Sequence, residues 1–207
     1  MKFDDVIHYF RNKKYAQMKD GLLDASNDEK MLRKLTVLQN EISVAYDTKV
    51  IGITSVKEDE LTAYFGKAFV EAYRSNGASC LLIDANLFEP QLGKLLGLEK
   101  KGEEKIDIQN LCEGIDVALM DKEVYPSSVY KSGVIQELIN ANKEKYDHFV
   151  ILFPSVTEHK EISLFKGTLN STLLLSRQNV TKKGQIYEAL CFLKQEEVPV
   201  SKTIVLK

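Results

Sequence analysis

The stretch Thr54-Ser55-Val56-Lys57-Glu58-Asp59-Glu60-Leu61-Thr62-Ala63 joins a short apolar run to a helical pattern and carries the densest candidate chemistry in the chain. A loop between a buried strand and a helix N-terminus is suited to hold phosphate. Glycines let the backbone approach, helix N–H groups point at the anion, and a Gly-Lys-Ser/Thr step supplies a cation and a metal-binding hydroxyl. Here the loop has no glycine and no lysine beside the helix, and Glu58, Asp59 and Glu60 stand where phosphates would sit. A helix N-terminus carries partial positive charge and unpaired N–H donors. The carboxylates therefore suit a self-capped site, with Asp59 as N-cap. Each would repel a phosphate by roughly 1–4 kcal/mol at about 4 Å. An altered, cation-binding loop is the other reading of the same residues.

The elements around this loop alternate. Val50-Ile51-Gly52-Ile53 is an apolar run of the buried-strand type, and Glu60–Ser75 is a helix with Leu61, Phe65, Ala68, Phe69 and Ala72 on one face, ended at Asn76-Gly77. Strands follow at Cys80–Ile83, Ile115–Met120, His148–Phe153, Thr172–Leu175 and Thr203–Leu206. Helices are expected at Pro90–Leu96, Gly133–Lys145 and Lys183–Gln195, whereas 99–114 is polar and least regular and Tyr125–Ser128 is a loop. Residues 1–47 read as helix, with Val6, Ile7, Tyr9 and Phe10 in one apolar patch and Leu32, Leu35, Leu38 and Ile42 at helical steps. A break is expected at Gly21 and Asp24–Asp28. Alternating strands and helices imply right-handed crossovers and a mostly parallel, doubly wound α/β sheet with helices on both faces. The expected organisation is a helical N-terminal extension, 1–47, and one α/β domain, 48–207.

Composition limits the function classes. With 207 residues, 44% of them hydrophobic, the chain is long enough for one substantial core. A net charge of −2 argues against nucleic acid as a partner, because phosphate neutralisation by basic groups dominates that affinity. Cys80, Cys112 and Cys191 are odd in number and far apart, and read as small buried hydrophobes in a reducing cytoplasm. The N-terminus shows no apolar signal core, no stretch is long and apolar enough to insert in a membrane, and the three histidines lack metal-ligand spacing.

The order of the signals is specific. Lys49-Val50-Ile51-Gly52-Ile53-Thr54-Ser55 is followed by Leu81-Leu82-Ile83-Asp84-Ala85-Asn86-Leu87 and then by Tyr146-Asp147-His148-Phe149-Val150-Ile151-Leu152-Phe153-Pro154. Over about residues 30–207 this resembles the P-loop NTPase-like domain of the bacterial tyrosine kinases of capsule and exopolysaccharide synthesis, in the wider MinD/ParA-like group. Family members read roughly T-S-x-x-P-G-E-G-K-S, then L-L-I-D-A-D-L-R-x-P, then Y-D-x-V-I-I-D-T-P-P.

The resemblance implies a nucleotide-binding fold, ATP and Mg²⁺ as cofactors, and docking on a membrane chain-length regulator or polysaccharide transport protein. In gapless register, Asp59 and Leu61 take the place of loop glycines. Thr62 replaces the phosphate-binding lysine and Ala63 the magnesium-binding Ser/Thr. Asp84 is kept, but Asn86 replaces the next acid, Phe88 the arginine, and Leu152 the acid of the third motif. Lys57 falls where MinD/ParA-type proteins carry a signature lysine, and reads otherwise as a solvated loop lysine. Asp84 reads as a structural strut accepting N–H bonds from the first loop. Thr54 and Ser55 are expected to bond locally to the loop backbone. Tyr125 and Tyr130 flank Pro126 in a loop that is a candidate partner contact.

Phosphoryl transfer needs a phosphate cation and metal carboxylates, so the expectation is a pseudoenzyme with no catalytic residue, no metal and no cofactor. Lys57, Glu58, Asp59, Glu60, Leu61, Thr62, Ala63, Asp84, Asn86 and Leu152 would be vestigial. The expected setting is cytoplasmic, peripheral to the inner membrane through a protein partner, with self-association as a further option. The alternatives are an ATP-dependent tyrosine kinase or ATPase with an atypical loop, which would use ATP and Mg²⁺, and a MinD/ParA-type positioning or scaffold protein.

Overall fold

The computed structural model describes residues 25–45, 49–57 and 60–206. Its elements run α1 (Ala25–Ala45), β1 (Val50–Ser55), α2 (Leu61–Ser75), β2 (Cys80–Asp84), α3 (Leu92–Leu96), β3 (Ile106–Cys112), β4 (Ile115–Met120), α4 (Pro126–Lys131), α5 (Val134–Asn142), β5 (His148–Leu152), a 3-10 turn (Glu161–Phe165), β6 (Ser171–Arg177), α6 (Lys183–Gln195) and β7 (Val200–Leu206). They form one seven-stranded sheet of order β3-β4-β2-β5-β1-β6-β7. Every pairing is parallel except β3 with β4.

The three strands at the centre of the chemistry, β1, β2 and β5, are buried on both faces, as continuous apolar runs must be. Alternate residues point to opposite faces. Ile51, Ile53, Cys80, Leu82, Val150 and Leu152 join the core beneath α1, α2 and α3. Val50, Leu81, Ile83, Phe149 and Ile151 join the other core, beneath α4, α5, the 3-10 turn and α6. Helix α1 contributes Leu35, Leu38 and Ile42, each at most 2% exposed. Burying a side chain of that kind is worth about 1.5–3 kcal/mol.

Helix α2 is buried over most of its surface, beyond the single face that periodicity gave it. Phe65, Phe69, Tyr73 and His148 form a continuous ring ladder from the helix to the start of β5, with centroids 5.9, 5.2 and 3.9 Å apart. The helix stops at Gly77, whose φ of +83° suits a residue without Cβ. Ala78 N–H then bonds Tyr73 O at 3.2 Å and Gly77 N–H bonds Arg74 O at 2.8 Å, which satisfies the last carbonyls. Near the middle of α2, a Cβ on Gly66 would collide with Leu152 Cδ2, so this glycine is the gap into which Leu152 packs.

Several expectations are corrected. Residues 99–114 contain β3, an edge strand paired antiparallel with β4 through a turn at Gly114 (φ +82°). None of its residues is fully buried, and Ile108 is exposed, as in a strand at the sheet edge. Pro126-Ser127-Ser128 opens helix α4 with proline in its first turn, where the missing N–H costs nothing. Tyr130 is 2% exposed, and its hydroxyl donates to Ala85 O at 2.5 Å. It is therefore a strut and not a partner-facing residue. Ala25–Asp28 lie in the first turn of α1, where Ser, Asn and Asp are favoured, so the polar run starts a helix. The patch from Val6 to Phe10 and Gly21 fall outside the described residues. Cys80 is buried as expected, and burial, with the nearby Asp147 charge second, pushes its thiol up to about 12. Cys112 and Cys191 are instead only half-buried.

The opposite, amino edge of the sheet is tied by polar groups. Asp147 Oδ2 accepts Ser79 N–H and Ser79 Oγ–H, both at 2.8 Å, joining the starts of β2 and β5. Asp116 accepts Tyr146 O–H at 2.5 Å, Lys145 Nζ at 2.9 Å and Asn110 Nδ2 at 2.8 Å. Burial pushes the Asp116 carboxyl up, but the hydrogen bonds from Tyr146, Lys145 and Asn110 outweigh it and hold it below its ordinary value.

Two outcomes follow. Gly66→Ala overpacks the helix against Leu152 and lowers unfolding free energy by about 1–3 kcal/mol despite the better helix propensity of alanine. In a double-mutant cycle read by urea denaturation, Leu152→Ala costs less in that background than in the wild type. For Asp116, a depressed carboxyl contributes stability above its unfolded pKa of about 3.9 and loses it as pH falls through the folded value. Asp116→Asn therefore unfolds at a lower Tm than wild type at neutral pH, and the gap closes below about pH 4. A gap that does not change with pH would place the Asn110–Asp116–Tyr146 contact outside the stability of the fold.

Candidate functional site

Open parallel sheets place their crevice beyond the carboxyl ends of the strands, where neighbouring connections leave in opposite directions. In this chain that position lies at the ends of β1 and β6, beside the loop that follows β2. A cavity of about 370 Å³ opens there. Its floor includes Leu175, Val180 and Leu206; Lys57, Lys94 and Arg177 bring cations to it, and Glu60 and Glu89 bring carboxylates.

Among the described residues of the first loop, backbone groups are bonded to neighbouring strands. Past β1 the chain bends at Val56 and Lys57. Val56 N–H bonds Leu175 O at 2.8 Å, Val156 N–H bonds Ser55 O at 2.9 Å, and Thr157 Oγ1 donates to Val56 O. Val56 is wholly buried, so this residue is spent on packing and on zipping β1 to its neighbours. Thr54 Oγ1 donates at 2.7 Å to Pro154 O, across to the loop after β5, where a local bond was expected. Lys57 is half-exposed and lines the cavity. Glu58 and the expected N-cap Asp59 lie outside the described residues. Glu60 occupies the N-cap position of α2 and makes no side-chain capping bond; it is exposed, and its carbonyl accepts Ala63 N–H at 3.1 Å.

Leu61, Thr62 and Ala63 form the first turn of α2 and are all buried. Ala63 and Leu152, at the two positions where the resemblance puts metal-binding groups, belong to one apolar cluster. Leu152 is 2% exposed. The space between the end of β5 and α2 is thus filled by hydrocarbon.

Asp84 is a strut, but for the second loop. Its carboxylate accepts Asn86 N–H at 3.1 Å and Gln91 and Leu92 N–H at 2.8 Å each. It is 2% exposed, and three backbone donors converge on it at the start of α3. Asn86 continues the turn by accepting Glu89 N–H at 3.1 Å. Phe88, at the family's arginine position, stacks on His159 with centroids 3.5 Å apart and so bridges the loops after β2 and β5. That stack, and the cavity residues Lys94 and Arg177, carry no motif signal. Only the position of α3 and of the β6–α6 turn at the carboxyl edge could have nominated them. No cluster of His, Cys, Asp and Glu among the described residues could hold a metal ion. No described helix is long and apolar enough to cross a membrane.

The arrangement matches known folds. The kinase domain of the Escherichia coli tyrosine kinase ETK aligns with a TM-score of 0.79 over 95% of this chain and 85% of that one, at 14% identity. The fold is that of the bacterial tyrosine-kinase domains. The chimeric protein CapA2B2 aligns with a TM-score of 0.76 over 100% of this chain and 91% of that one, at 16% identity. A ParA-family ATPase from Chlorobium tepidum aligns with a TM-score of 0.58 over 76% of this chain and 72% of that one, also at 14% identity. No protein-family model and no curated protein matches the chain. At such identities the likeness carries the α/β architecture and leaves the chemistry to the side chains.

Removing the Asp84 carboxylate leaves buried N–H groups unpaired. Asp84→Ala is expected to cost about 2–4 kcal/mol in urea unfolding, and Asp84→Asn, which keeps one acceptor oxygen, about half of that. Full stability of Asp84→Ala would mean that the second loop is held by other contacts.

Proposed function

We propose that this chain is a P-loop-type α/β domain that has lost phosphoryl transfer and serves as an interaction or regulatory component of bacterial capsule or exopolysaccharide production. The observation that carries the reading is the apolar closure of Leu152 against Gly66 beside Ala63. A transferred phosphoryl group needs a cation on its oxygens and carboxylates or hydroxyls on Mg²⁺. In the register of the resemblance, Thr62 stands at the cation position without a charge, and Ala63 and Leu152 stand at the metal positions without an oxygen. Asp84, the one retained acid, is engaged by backbone N–H groups. A scaffold kept intact around a dismantled reagent set fits a protein whose partners read its surface. The partner class is a membrane chain-length regulator or polysaccharide transport protein, with the chain cytoplasmic and held at the membrane through it.

A working kinase or ATPase is the competing reading, favoured by one observation: the cavity at the carboxyl edge is open and carries Lys57, Lys94 and Arg177. Calorimetric titration with Mg-ATP and Mg-ADP separates the two. The pseudoenzyme reading expects no saturable heat at millimolar nucleotide and no phosphate release. Mg²⁺-dependent binding with turnover would establish the enzyme instead. Under the first outcome, co-purification with the membrane polysaccharide machinery is expected, and its absence from cells that express that machinery would remove the docking role.

A further inference from the structure

The sheet ends on β7, and the outer side of that strand is open among the described residues. Leu206 O accepts Gln178 N–H, and Ile204 O accepts Ser176 Oγ–H at 3.3 Å, so these two residues turn their backbone groups toward β6. The N–H and C=O of Thr203 and Val205, which alternate with them, face away from the sheet. Both residues are exposed, Val205 by 42%. Natural edge strands are guarded against strand addition by proline, free lysine or a bulge. The guards of β7 sit at its start, where Pro199 precedes it and its register shifts opposite Thr172 and Leu173 of β6. Lys202 is held at 3.0 Å by Glu41 of α1, a helix that packs on the other face with Ile204 and Leu206. Residues 203–206 are thus an unguarded edge of β-branched and apolar side chains.

A groove of about 520 Å³ lies beside this edge, between α6 and β7. Ala189 and Leu193 of α6 share a core with Leu174 of β6, which leaves the adjoining face of β7 uncovered. Leu190, Val198 and Val200 give the groove apolar walls, and Lys194 lines it from the helix. Lys194 is exposed and in no ion pair among the described residues, whereas Glu197 is paired with Lys166 at 3.0 Å. Lys183, Tyr187, Leu190 and Lys194 recur at helical steps and share one stripe of α6. The groove thus combines open backbone on one side, hydrocarbon within and lysines along the helix. We propose that β7 and α6 dock an extended segment of a protein partner, which adds to β7 as a further strand. Its alternate residues fill the groove, apolar at the centre and acidic at the ends, opposite Lys194 and Lys183. A second copy of this chain fits less well. Two-fold pairing of β7 with β7 would set the α6 stripe against its own reverse, lysine against lysine. The proposal is independent of nucleotide turnover, because the groove shares no lining residue with the carboxyl-edge cavity.

The test titrates a fluorescently labelled synthetic peptide, Asp-Thr-Val-Thr-Val-Thr-Asp, with the whole chain at low salt. Binding is read by anisotropy, and amide hydrogen exchange is followed at Thr203 and Val205. Saturable binding is expected, with exchange at both amides slowed at least about ten-fold. Lys194→Glu, a change at an exposed position checked for an unaltered thermal transition, should weaken it at least about five-fold. The same peptide with lysine in place of each aspartate should recover affinity for that variant. No saturation up to about 1 mM chain overturns the proposal. So does affinity unchanged in Lys194→Glu, or binding that leaves both amides as they were, which would put the peptide elsewhere. Slow exchange at both amides in the dilute chain before peptide is added would mean that a segment of the chain itself covers the edge. Slowing with protein concentration alone, with a dimer mass in sedimentation, would mean that a second copy does. Either result also overturns the proposal.

Discussion

The structure turns on one apolar contact, the insertion of Leu152 into the gap left by Gly66. Leu152 ends β5, the strand between β1 and β2, and α2 is the crossover that joins those two strands. The distance of the helix from the sheet at the carboxyl edge is therefore set where a leucine side chain meets a residue with no Cβ. Cores are packed near crystal density, so a volume change there is felt on both sides. An acid at the same position would have to be hydrated, paired or bound to a metal to be tolerated in that cluster. Leucine needs none of these, so the helix and sheet close without a ligand.

Once that contact fixes α2, the loops on either side take on structural duties. Val56 is drawn into the second core, and its N–H goes to Leu175 O. Asp84 cannot reach for a ligand without releasing the three N–H groups that shape the turn into α3. Tyr130 fastens the same turn from below through Ala85 O. The second loop is thus determined from inside the protein.

What could be read from sequence follows from how each residue is satisfied. Strands β1, β2 and β5 were legible because a strand buried on both faces is apolar throughout, and α2 because its aromatic residues recur at helical steps. Strand β3 was hidden because an edge strand keeps polar residues on its open side. Helix α4 was hidden because its opening Tyr-Pro-Ser-Ser has the composition of a turn. At the site, Asp84 was recognised as a strut, but its donors lie after it in the chain, in the second loop. Lys94 and Arg177 were not legible at all. Each sits in an unremarkable local sequence, and only the order of strands in the sheet brings α3 and the end of β6 to one cavity.

The presence of that cavity does not by itself indicate catalysis. A doubly wound sheet leaves a crevice wherever adjacent crossovers depart to opposite faces, and the crevice remains when its catalytic side chains are replaced. Here α2 rises on one face after β1 and α6 on the other after β6, so the space between them is imposed by topology. Chemistry enters only through what lines it. Ala63 and Leu152 put hydrocarbon between α2 and the end of β5, away from the cavity lining. The cavity itself is lined by charges of both signs, Lys57, Lys94 and Arg177 with Glu60 and Glu89. An apolar closure at Leu152 and a charged pocket at the carboxyl edge are therefore compatible, because they depend on different residues.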